Sequence, residues 1–129
     1  MPAEIATEEL LFFADHKSAL PLYLCLRAQL LTHCGQVRIQ VKKSQISFGN
    51  RHLFCAVSFT PVRRAAQRPD PFLTVTFGLP DRLLSPRIDA AVEAYPGRWT
   101  HHVMLGSTEE VDGQLLAWLK AAAEFSNAK

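Results

Sequence analysis

The 129-residue chain predicts an α+β fold: an antiparallel sheet of about five strands, with two N-terminal helices and one C-terminal helix packed on one face. Three observations carry this. Clustered leucines and helix-capping residues dominate positions 7–34. Alternation with a period of two takes over between 36 and 105, and helical spacing returns after Ser107. Consecutive strands joined by short turns pair antiparallel, so the helices cover one sheet face and leave the other for solvent or for function.

Taken in order, Thr7 followed by Glu8 and Glu9 is expected to cap a short helix that ends near Asp15 and His16. Ser18 is placed as the cap of a longer helix running to about Cys34. Pro21 falls in its first turn, where no N–H is missed, and Gly35 stops it. Leucines on most of its circumference predict deep burial. Val37, Ile39 and Val41 alternate with polar residues as a first strand, SQISF forms a second, and Gly49-Asn50 turns into a third, RHLFCAVSF. VRRAAQRPDP is a loop and FLTVTFGL a fourth strand. PDRLLSPRIDAAVEAYPG is expected to be extended or irregular, since Ile88, Ala90 and Val92 alternate. WTHHVMLG is the last strand. Ser107 and Glu110 form a capping-box pattern that should open the final helix, with Val111, Leu115, Trp118, Leu119, Ala122 and Phe125 as its packing stripe.

A chain of this length suits one domain, 1–129 with a core over about 7–125, and 48% hydrophobic residues exclude a disordered chain. The net charge of +2 is unevenly placed: residues 36–105 hold ten of the fourteen Lys and Arg but four of the twelve acids. A basic middle between acidic ends suits an anionic small molecule. Basic residues interleaved with aromatics are missing, as are nucleic-acid-binding motifs, which argues against a nucleic-acid partner. The acidic N-terminus does not resemble a signal peptide and no apolar run suits a membrane helix, so a cytoplasmic protein without membrane contact is expected. Cys25 and Cys34 fall on opposite sides of one helix, about 13 Å apart along its axis, and cannot pair there. With Cys55 in an apolar strand and no CxxC, all three are expected to be buried, inert thiols, with no metal or other cofactor.

ALPLYLCLRAQL, KSQISFGNRHLFCAVSF, SPRI, RWTHHVML and DGQLLAWLKAA together resemble the family described as domain of unknown function 5655, over roughly residues 7–125. The resemblance implies a small α+β domain, with no assigned chemistry. It singles out Lys43, Ser47, Phe48, Arg51, Arg87 and His102 as the charged or otherwise distinctive positions of the pattern.

Alternation along the last strand puts Trp99, His101, Val103 and Leu105 on the helix side, and Thr100, His102 and Met104 on the open side. His101 is then a core histidine with one satisfied nitrogen. Adjacent histidines on opposite faces cannot chelate one metal, and His16, His33 and His52 show no ligand spacing, so no metal site is expected. Lys43, Ser47, Arg51, Arg87 and His102 are the candidate ligand-binding set: if their tips converge on the open face, arginine forks would bind carboxylate or phosphate. The competing reading pairs Arg51 or Arg87 with Asp89 or Glu93. Phe48, opposite in parity to Ser47, belongs to the core. The alternative function is a small hydrolase or transferase with His102 as general base, for which Ser47 and Cys55 are the available nucleophiles outside any known catalytic context, or else a weak nucleic-acid-binding module whose Arg63, Arg64 and Arg68 loop contacts phosphates. An open sheet face or unpaired edge strand leaves a homodimer or partner protein as a further expectation.

Overall fold

Alternating strands dominate the middle of the chain, and in the computed structural model, which describes residues 4–128, they form one six-stranded antiparallel sheet. The strands are β1 (Arg38–Val41), β2 (Gln45–Gly49), β3 (Leu53–Ser58), β4 (Leu73–Leu79), β5 (Ala90–Tyr95) and β6 (Arg98–Leu105), in the spatial order β1-β2-β3-β4-β6-β5. The helices are α1 (Thr7–Phe12), α2 (Leu20–His33) and α3 (Gly113–Asn127). The α+β class therefore stands, with one strand more than the five expected. The sixth is β5, from the segment read as extended or irregular: the alternation of Ile88, Ala90 and Val92 continues into a ladder with β6. Its outer edge carries no further strand, and Val92 and Tyr95 are exposed.

Away from the register shifts at Phe48/Gly49 and Glu93/Tyr95, the ladders assign strand residues to a face. Ile46 and Phe48 of β2 sit beside Val57 and Cys55 of β3, which sit beside Val75 and Phe77 of β4, then Val103 and His101 of β6. These side chains pack against the helices. Tyr23 of α2 lies 6.0 Å from Phe48, and Trp118 of α3 stacks at 6.2 Å on Phe77. Phe48 is fully buried, as its parity requires.

The helix ends differ from expectation in instructive ways. Ala6, not Thr7, occupies the cap of α1, and the cap is served from inside the helix: the Glu9 carboxylate accepts the Ala6 N–H at 2.8 Å. That carboxylate is buried, also accepting the Tyr23 hydroxyl and Arg27 Nε (2.7 Å), and so ties α1 to α2. Burial pushes the Glu9 carboxyl up, but Arg27, Tyr23 and the Ala6 N–H outweigh it and hold it below its usual range. Ser18 caps nothing; it lies in a 3-10 turn, Lys17–Ala19, that leads straight into α2. Ser107 and Glu110 do interact, the Glu110 carboxylate accepting Gly106 and Ser107 N–H, but they close a single 3-10 turn. The cap of α3 is Asp112, which accepts Leu115 N–H at 3.0 Å, and Val111 therefore precedes the helix. Gly35, at φ +77°, ends α2 as a left-handed residue.

Cys34 and Cys55 are buried, and burial pushes both thiols up. Cys25 departs from the buried reading: it is half-exposed at the edge of α2, facing the carbonyl of Thr108. No helix among the described residues is long and apolar enough to cross a membrane.

Candidate functional site

The face of the sheet away from the helices is built from the opposite parity. One row crosses all six strands: Gln40, Ser47, Ala56, Thr76, His102 and Ala90 are successive ladder partners. Glu93, the only acid within any strand, pairs with Trp99 and belongs to the helix side. The far face thus has no carboxylate of its own strands.

One end of this face is covered. The 59–72 loop folds over it, so that Thr74 and Met104 are buried and the Thr74 hydroxyl donates to Thr60 O at 2.7 Å. Arg63 fastens the loop. Its Nε donates to Asp89 at 2.7 Å and its Nη2 to the other carboxylate oxygen at 3.2 Å, while Asp89 also accepts Met104 N–H.

The other end is open and holds a cavity of about 130 Å³. It is lined by the small residues Ser47 (itself buried), Ala56, Thr76, Gly78 and Thr100, with Leu53 and the buried Phe54 beside them. Arg98 lies across it. A Cβ on Gly78 would come within 2.5 Å of the Arg98 guanidinium, so the missing side chain is what lets the guanidinium lie on the sheet. Its Cζ is 5.8 Å from the centroid of the Phe125 ring, and it meets no carboxylate among the described residues. Gln45 Nε2 donates to Ser47 Oγ at 2.9 Å, which leaves the serine proton for another acceptor. Next to the cavity, Thr76 Oγ1 and His102 Nδ1 are 2.9 Å apart.

The five residues expected to converge do not. Ser47 and His102 share the far face and one row, but Ala56 and Thr76 stand between them. Three strand spacings put them about 14 Å apart, too far for a serine–histidine pair. Lys43 and Arg51 occupy the turns at opposite ends of β2, at least about 13 Å apart. Lys43 borders a hollow with Asp15, His16 and Phe59; Arg51 borders a wider one of about 780 Å³ beside Arg38, Asn50 and Asn127. The polar groups of that wider hollow serve the fold. Asn50 donates to Cys34 O and Gln36 O, Asn127 accepts His52 N–H, and Arg38 donates to Asn50 O and Arg51 O. Arg87 is on the helix side altogether. Its Nη1 meets both Asp112 oxygens (2.8 and 3.0 Å) and its Nη2 the Glu110 carbonyl, and it packs over Trp118. Its acid partner is thus Asp112 rather than Asp89 or Glu93, because the 80–89 segment passes beside the N-terminus of α3. Cys55 faces the helices and is fully buried, out of reach of a substrate on the far face.

His101 sits in the core. Its Nε2 accepts Leu83 N–H at 2.9 Å, its ring stacks on Phe77, and burial holds its pKa below the ordinary value. His102 is half-buried, and burial lowers its pKa too. No three of His, Cys, Asp and Glu gather closely enough for a metal ion among the described residues.

Arg98 and Thr76 escaped the sequence reading, whereas Thr100 was placed on the open face beside His102. A signal was present for Arg98, which shares that parity along β6.

A family model described as Domain of unknown function (DUF5655) matches residues 11–126, most of the chain. No curated protein and no solved structure matches it.

Proposed function

The chain belongs to this family, whose description assigns no chemistry, and from that premise we propose that it is a binding module for a small oxyanion, a carboxylate or a phosphate, held on the uncovered end of the sheet. The observation that carries the reading is Arg98: a guanidinium without a carboxylate partner among the described residues, spread over Gly78 at a cavity where Ser47, Thr76 and Thr100 contribute hydroxyls. A guanidinium is weakly hydrated and presents a planar fork that suits two oxygens of one anion. Ser47, Thr76 and Thr100 supply short hydroxyls that donate without filling the space. Along β4, Thr76 and Gly78 are about 6.6 Å apart. An oxyanion with hydrogen bonds of about 2.8 Å on two sides spans that gap, one oxygen toward Arg98 and another toward Thr76. The cavity volume fits such a group rather than a nucleotide or a peptide side chain of any length.

The test is titration with sodium sulfate and sodium acetate against chloride at equal ionic strength, followed by amide NMR and by thermal melting. Shifts concentrated at Thr76, Gly78 and Thr100, with a rise in melting temperature, are the expected outcome. Arg98→Gln should abolish both, and Arg51→Gln and Lys43→Gln should leave them unchanged. Shifts centred on Arg51 or Lys43, or none at any site, would overturn the reading.

A further inference from the structure

The Thr76–His102 contact makes the cavity's chemistry depend on a proton. The imidazole does not line the cavity; Thr76 does, and Thr76 Oγ1 is 2.9 Å from His102 Nδ1. A hydroxyl has one proton. When Nδ1 is bare, Thr76 must donate to it, and the oxygen turns only lone pairs to the cavity, which repel an anion. When the ring is charged, both nitrogens carry hydrogens. Nδ1 then donates to Thr76, whose own proton is released toward the cavity, and the imidazolium adds a second positive charge near Arg98. We propose that His102 is a positioning residue that couples oxyanion binding to the uptake of one proton, by reversing the direction of its hydrogen bond with Thr76. This rests on the binding reading above and adds the regulation of the same site.

The surroundings of His102 leave it free to respond. On β4 it faces Thr76, and on β5 its ladder partner is Ala90. Asp89, just before β5, is engaged by Arg63 of the 59–72 loop. Arg98 on β6 itself is four residues away, about 13 Å along the strand, although its guanidinium reaches back over Gly78. His101, the adjacent imidazole, points to the other side of the sheet, where burial favours its neutral form. No carboxylate among the described residues pairs with the His102 ring, and burial favours its neutral form. An anion supplies the missing counter-charge. The neutral Nδ1–H tautomer also frees the Thr76 proton, so one proton per anion is the ceiling.

Sulfate is the probe, because it does not titrate between pH 5 and pH 8. The dissociation constant for the full chain should fall as pH falls from 8, by at most about tenfold per unit, and level off once free His102 is protonated. Thr76→Val and His102→Gln should each flatten that profile while Arg98-dependent binding persists. NMR of the unmodified protein gives a second readout. The His102 pKa should rise by about one unit or more on saturation with sulfate. Sulfate binding that is equally tight at pH 5.5 and 7.5, or a His102 pKa unchanged on saturation, overturns the coupling and leaves the binding reading intact. No sulfate binding at either pH overturns both.

Discussion

Arg63 and Arg98 stand on the same face of the same sheet, and they have opposite fates. Arg63 arrives on a loop, meets Asp89 in two hydrogen bonds, and closes one end of the face over Thr74 and Met104. Arg98 arrives on β6, meets no carboxylate among the described residues, and lies on a glycine at the end left open. The difference teaches that in this basic segment position says little about purpose, and the partner says a great deal. Arg87 and Arg27 extend the series. Both are locked to an acid, Asp112 and Glu9 respectively, and each fastens one element to another.

Breaking the most buried pair should have the largest effect. Glu9→Gln leaves the Arg27 charge buried without a counter-charge and weakens the cap of α1, and should cost about 3 kcal/mol in urea unfolding at neutral pH. Because the Glu9 carboxyl is held below its usual range when folded, its contribution is complete above about pH 4.5 and drains away as pH falls through the lower folded value. The wild type should therefore lose stability on acidification more steeply than Glu9→Gln does, and equal slopes would count against the pair. Asp89→Asn comes next. The pair is partly solvated, with Arg63 30% and Asp89 11% exposed, so about 2 kcal/mol is expected, together with faster proteolysis in the 59–72 loop. Arg98→Gln should be the smallest, within about 0.5 kcal/mol in the same unfolding experiment, while sulfate binding is lost. A large destabilisation there would make Arg98 one more structural arginine and erase the contrast.

The fold was legible because alternation and helical periodicity are local. β1 to β4 and β6 announce themselves in five to nine residues each, and the family resemblance seen in the same segments agrees with the match to residues 11–126. β5 was half-legible, since an edge strand with mostly exposed side chains carries a weak apolar pattern. The start of α3 was obscured by two capping signals in succession, Ser107 to Glu110 and then Asp112; nothing local says which one begins the longer helix. The candidate site was less legible for a different reason. Whether an arginine is neutralised depends on residues 25 or 26 positions away, as with Arg87–Asp112 and Arg63–Asp89, and only the assembled topology brings those together. Parity correctly put Ser47 and His102 on one face. It could not give the number of strands between them, which is what separates a dyad from two unrelated polar groups.

The strand order has one last consequence, for how this molecule breathes. β5 touches the sheet along a single border, with β6, and most of its side chains have little to lose by leaving. Peeling it away is among the cheapest openings available to the sheet. While it is detached, β6 becomes the rim, His102 loses its Ala90 neighbour, and water gains access to the imidazole from the side. A fluctuation of the outermost strand thus reaches, through the imidazole, a hydroxyl of the cavity floor one hydrogen bond away.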